Sequence, residues 1–133
     1  MKTVFVMIGL FVVLVIYARV APVSAKMLDT AGQADADTDL DGGFTAVRPF
    51  DGDRADLHAR IMAVALATPR TTLLSDDPLQ FVTRTKVVGF PDVTTVQIRD
   101  KSIMIHAHLV IGKSDLGVNK ARVLDWLDRL GPL

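Results

Sequence analysis

His106 and His108 are the residues of this 133-residue chain whose type and spacing point most directly to chemistry. One residue apart on an extended backbone, their rings project from the same face about 7 Å apart, close enough to chelate a metal ion or to trade protons near neutral pH. A metal needs a third ligand, for which His58 and Asp92 are the candidates, and nothing in the sequence brings either one near. Without it the two rings are simply solvated side chains. Three further motifs are incomplete. Gly112-Lys113-Ser114 has the ending of a phosphate-binding loop, but the leading glycine would fall at Ala107, inside a Val/Ile-rich strand. Gly112-x-Ser114 has the start of a nucleophile elbow, with Leu116 standing where the second glycine belongs. Asp37, Asp39, Asp41 and Gly42 match the first half of an EF-hand calcium loop, yet Arg48 occupies the position that requires a bidentate Glu, and Pro49 follows it.

Composition narrows the chemistry further. There is no cysteine, which removes disulfides, thiol catalysis and thiolate metal sites. All 15 acidic residues are Asp, so a mechanism that needs Glu, such as a zincin helix, is excluded. The 15 basic residues balance them overall, but residues 27–46 hold five Asp and no Lys or Arg. Residues 48–133 then carry 12 basic and 10 acidic side chains, too mild an excess for electrostatic nucleic-acid binding. No cofactor is expected.

The elements that must position these residues follow from periodicity. From Asp53, a plausible N-cap, Leu57, Ile61, Val64 and Ala65 recur at helical spacing, and Thr68-Pro69 stops the helix. Thr71–Leu74 and Leu79–Lys86 read as strands separated by the turn Ser75-Asp76-Asp77-Pro78. Gly89-Phe90-Pro91-Asp92 forms a second turn into a strand over Thr94–Arg99, and Asp100-Lys101 closes a hairpin with Ser102–Ile111. Pairing residues whose numbers sum to 201 sets Ile98, Val96 and Thr94 opposite Ile103, Ile105 and Ala107 on a buried face. The reverse face, with Thr95, Gln97, Arg99, Met104, His106, His108 and Val110, is mixed enough to be solvated or to meet a partner. Asn119 can cap a final helix over Lys120–Leu130, with Val123, Leu127 and Leu130 as its stripe, Leu124 and Trp126 flanking, and Gly131-Pro132 at its end. The expectation is an α+β domain, a four-stranded antiparallel sheet with two packed helices, preceded by an N-terminal membrane helix.

That leading segment fixes location. Thr3–Ala18 is 16 residues without a charge, flanked by Lys2 and Arg19, whose side chains can reach the interface. Residues 1–25 are read as a membrane anchor, contacting the bilayer through Thr3 to Val23. The alternative is a signal peptide cut near Ala25, after Val23-Ser24-Ala25, which would release the domain to the periplasm. Residues 26–43, mostly Ala, Asp, Thr and Gly, read as an acidic flexible linker, and 44–133 as one domain, expected on the periplasmic side.

Thr68-Pro69-Arg70-Thr71, the string Thr83-Arg84-Thr85 through Gly89-Phe90-Pro91-Asp92, and Gly112, Ser114, Asp115, Gly117, Asn119 and Arg122 together resemble the bacterial domain-of-unknown-function family fourteen-ninety-nine. The resemblance covers roughly residues 44–131 and implies a small protein with an N-terminal membrane segment, of no assigned activity. Members often carry an arginine on the strand before the closing motif, where this chain has His108. The closing motif also has a purely structural explanation, in which Gly112 and Gly117 permit the turn and Asp115 or Ser114 binds its free amides. The expected function is therefore a membrane-tethered envelope domain, a non-enzymatic binding or interaction module. The alternative is a metal-dependent or acid–base enzyme using His106 and His108.

Overall fold

The computed structural model describes residues 1–23 and 34–133. The elements run α1 (Lys2–Val20), β1 (Thr38–Leu40), β2 (Gly43–Pro49), α2 (Arg54–Leu66), β3 (Thr71–Asp76), β4 (Leu79–Arg84), β5 (Pro91–Ile98), β6 (Ser102–Leu109) and α3 (Val118–Leu130). The class is α+β as expected, but the sheet has six strands rather than four, in the order β1-β2-β6-β5-β4-β3, each neighbour antiparallel. The two additional strands come from the stretch read as linker and its boundary. Asp41-Gly42 turns β1 back into β2, and β2 then pairs with β6 from Gly43↔His108 to Pro49↔Ser102. This close approach requires Gly43, because a Cβ there would collide with the Ala107 carbonyl. Residues 24–33, which hold the first part of that linker and the end of the leading segment with the alternative cut near Ala25, lie outside the described residues.

The β5–β6 hairpin has the expected register, with Ile98, Val96 and Thr94 opposite Ile103, Ile105 and Ala107. β5 starts earlier than expected, so Pro91 and Asp92 are strand residues, not part of a turn. Pro91 opens the strand, where a missing N–H is tolerated. The helix-covered face of the sheet contributes Phe44, Ala46, Phe81, Val96, Ile103, Ile105 and Ala107 to one core with Leu57, Ile61 and Ala65 of α2 and Val123, Trp126 and Leu130 of α3. Asp53 caps α2 as expected, its side chain accepting from the Ala55 amide. In α3 the expected stripe shifts: Asn119, Val123, Trp126 and Leu130 are buried, Leu127 is half-buried and Leu124 exposed. Spacings of four, three and four residues put that buried set on one helical face, so Trp126 is central rather than flanking. Its ring meets Phe81 edge-on, centroids 5.5 Å apart, and its Nε1 donates to Thr68 Oγ1 at 2.9 Å.

The opposite face, expected to be solvated or to meet a partner, is largely buried. Thr45, Gln80, Val82, Val93, Thr95, Met104 and His106 are buried on it. Val23 packs on Val82 and Val93 there, and the Ala34 carbonyl accepts from Arg99.

Candidate functional site

The residues that carried the family resemblance gather into two constructions. The first joins α1 to the domain. Arg84, at the end of β4, donates from Nη1 to the Ala18 carbonyl at 2.6 Å and from Nη2 to the Ala21 carbonyl at 3.0 Å. It thereby satisfies carbonyls at the C-terminal end of α1 that have no helical partner. Arg19 answers in the other direction, donating to the Val87 carbonyl at 2.9 Å. Its side chain crosses Gly89, where φ is +86° and an added Cβ would sit 2.5 Å from Arg19 Cγ. The Thr85 hydroxyl accepts from the amides of Gly89 and Phe90 and so shapes the loop that makes this room.

The second construction ties β5 to the start of α3. Asp92 and Arg122 form an ion pair at 3.1 Å, and both side chains are at least nine-tenths buried. Arg122 also donates to Asn119 Oδ1 at 2.6 Å. Asp115 receives the amides of Gly117 at 3.0 Å and Asn119 at 2.8 Å on its two carboxylate oxygens. The expected cap is therefore misassigned. The helix begins at Val118 behind Gly117 (φ +80°), Asp115 binds its free amides, and Asn119 lies inside the first turn, wholly buried. Its Nδ2 has no hydrogen-bond partner among the described residues. Gly112 has φ +112° and supplies the exit from β6, as the structural explanation of the motif requires. Phe90 and Ser114 line, with Asp92, Asp115, Leu116 and Thr85, a cavity of about 190 Å³. Ser114 Oγ accepts from the amide of Leu116, which has φ +54° and is 93% exposed.

The electrostatics of the two acids differ. Burial pushes the Asp92 carboxyl above its ordinary value, and the Arg122 guanidinium only partly opposes this. For Asp115 burial also acts upward, but the amides of Asn119 and Gly117 outweigh it and hold the carboxyl low. Asp115 thus contributes stability above its unfolded value, lost as pH falls through the lower folded one. Asp115→Ala is expected to cost about 1–2 kcal/mol, as for other helix caps, with the largest drop in melting temperature near neutral pH and a smaller one at pH 3. Thermal melts at the two pH values check it, and equal drops would detach the carboxylate from the turn.

The strand histidines are brought together as expected, their ring centroids 5.1 Å apart at 37°. His106 Nδ1 shares a 2.7 Å hydrogen bond with Thr45 Oγ1. Burial, with a smaller effect of His108, pushes His106 down to about 4, and burial also lowers His108, partly offset by Asp92. Burial thus favours the neutral form of both rings. The two candidates for a third metal ligand are engaged elsewhere: His58 pairs with Asp76 at 3.1 Å and Asp92 with Arg122. Among the described residues no cluster of three His or Asp side chains is placed to hold a metal. The partial calcium motif is dispersed as well, with Asp37 bonded to Arg48 and Asp39 to Lys120.

The Asp115–Asn119–Arg122–Asp92 chain accompanies a family match over residues 23–130, to the family described as Protein of unknown function (DUF1499). The chain belongs to the DUF1499 family. The DUF1499 match begins at residue 23, earlier than the expected residue 44, so it takes in β1, β2 and the segment read as linker, and it leaves out α1. No curated protein and no solved structure matches the chain. α1 itself is 19 residues long with mean hydropathy 2.5, long and apolar enough to cross a membrane, and a signal sequence near the N-terminus meets the same description. Sequence reasoning did not find Arg84 as the residue that grips α1. Its signal was faint: an arginine at the end of a strand, five residues before a glycine.

Proposed function

We propose that this DUF1499 chain is a membrane-tethered interaction domain, anchored by α1, whose contact surface is the loop between β6 and α3. The observation that carries the proposal is Leu116. A leucine at φ +54° costs roughly 1–2 kcal/mol of backbone strain, and at 93% exposure it recovers nothing by burial. The loop is nonetheless held firmly, by Ser114 and by the two amides bound to Asp115. Ile111 and Val118 on either side are also exposed, and the Asp92 cavity opens beneath. A rigid apolar tip beside an acidic recess fits a partner that buries leucine and offers a donor to the recess. The histidine pair supports the enzyme alternative less well, because burial moves both values down and away from the near-neutral match that acid–base catalysis favours, and His58 and Asp92 are paired elsewhere.

Two measurements test this. Leu116→Gly should leave the melting temperature unchanged or raise it, because relief of about 1–2 kcal/mol of strain outweighs the roughly 0.5–1 kcal/mol of extra chain entropy that glycine brings. A photoreactive residue at position 116 of the full chain, in intact cells, should give a discrete protein adduct that one at the hairpin tip residue Lys101 does not. A marked loss of stability would make Leu116 a structural residue, and an adduct pattern equal to that at Lys101 would remove the contact surface.

A further inference from the structure

Nine arginines occur in the chain, and six of them, Arg48, Arg54, Arg60, Arg99, Arg122 and Arg129, are each within 4.0 Å of an Asp carboxylate. The other three, Arg19, Arg70 and Arg84, have no carboxylate partner among the described residues, and all three line one cavity of about 340 Å³ together with Lys86. Among the described residues no acidic side chain lines it. We propose that this cavity, between the end of α1 and the β3–β4 edge, binds the phosphate of an anionic phospholipid headgroup. The proposal rests on the membrane-tethered reading.

Three observations carry it. First, four like charges around one cavity repel unless an anion is present, and in this chain arginines otherwise find an Asp. Second, the cavity is held in shape from both sides. Arg84 is fixed by the α1 carbonyls, and Arg70, at φ +59°, donates from Nε to the Arg84 carbonyl at 3.0 Å, leaving its Nη groups without a partner among the described residues. A guanidinium fork suits phosphate oxygens, which accept two parallel hydrogen bonds. Third, the depth is right. Arg19 lies in the last turn of the apolar helix, so a spanning α1 brings the cavity to the level where hydrocarbon gives way to headgroups. A free phosphate ion has the same oxygens but no reason to be found at that depth.

The test uses the full chain in neutral-detergent micelles, titrated calorimetrically with short-chain phosphatidylglycerol, short-chain phosphatidylcholine and inorganic phosphate. Saturable one-to-one binding of phosphatidylglycerol, at least roughly tenfold tighter than the other two and weakened by salt, is expected. Arg70→Gln combined with Lys86→Gln should weaken it by about tenfold or more, and Lys86→Gln alone, which removes no hydrogen bond seen in the structure, by less. Lys101→Gln should change nothing. Equal binding of both lipids, or a double variant that binds as wild type does, would overturn the site. Inorganic phosphate binding as tightly as phosphatidylglycerol would overturn the lipid assignment. The N-terminus of the protein in carbonate-washed membranes is sequenced in parallel. A chain starting after Ala25 lacks Arg19 and refutes the tether, whereas an intact N-terminus without anionic-lipid preference refutes the site alone.

Discussion

Arg122→Met should destabilise the domain by about 3–5 kcal/mol, because it leaves the Asp92 carboxylate buried with no counter-charge. For a domain of this size that lowers the melting temperature by some 4–8 °C per kcal/mol. The pH dependence carries the mechanism. Asp92 already has a folded value above its unfolded one, so the native state takes up a proton more readily, and stability falls as pH rises through that window. Removing Arg122 takes away the partner that opposes the rise and widens the window upward. The deficit of the variant should accordingly be smaller at pH 5 than at pH 7, because lowering the pH favours the neutral carboxyl of Asp92. Combining Asp92→Leu with Arg122→Met should recover most of the loss, since an apolar pair replaces two charges without leaving one behind. Urea titrations at both pH values decide it. A deficit under about 1 kcal/mol, or one that does not change with pH, would mean that water reaches the pair.

Trp126→Ala is the second large effect, expected at about 3–5 kcal/mol. The indole is 1% exposed, stands edge-on to Phe81 and bonds the Thr68 hydroxyl, which in turn donates to the Val64 carbonyl near the end of α2. Its loss opens a cavity between both helices and the sheet and leaves Arg129, at 3.2 Å, as the remaining α3 donor to the Thr68 hydroxyl. Trp126→Phe keeps much of the volume and should cost clearly less, about 1–2 kcal/mol. Chemical denaturation of the two variants separates packing from the hydrogen bond, and equal costs would assign the whole effect to the N–H group.

The parts legible in the sequence were those whose information is local. Asp53 caps α2 within two residues, and the β5–β6 register follows from a two-residue turn and matching apolar positions. β2 was missed because its partner β6 lies some sixty residues away, and because Gly43 and Pro49 at its ends read as breakers. A usable signal did exist in Asp41-Gly42, a common hairpin pair. α3 admitted two stripes through Val123, and polar Asn119 concealed the correct one. Asp92, Asp115, Asn119 and Arg122 were recognisable as a motif, yet their mutual contacts depend on how α3, packed on β2 and β6, brings Arg122 to Asp92 of β5. No spacing rule encodes that. The grip of Arg84 on α1 is of the same kind, since donor and acceptors are more than sixty residues apart.

That grip changes how such a protein would search for what it meets. A domain on a slack leash samples every orientation, and most encounters present the wrong side. Here the apolar helix ends in hydrogen bonds to Arg84, with Arg19 laid across Gly89, so the helix end is fastened to the sheet at two points. Thr85 borders both the cationic cavity and the recess under Leu116, which makes the exposed tip a neighbour of the helix end. With α1 upright in a bilayer, the tip would sweep a plane parallel to the lipid surface at nearly constant height. Encounters would then become a lateral, two-dimensional problem in which rotation about the membrane normal is the main freedom left, and a modest contact could suffice.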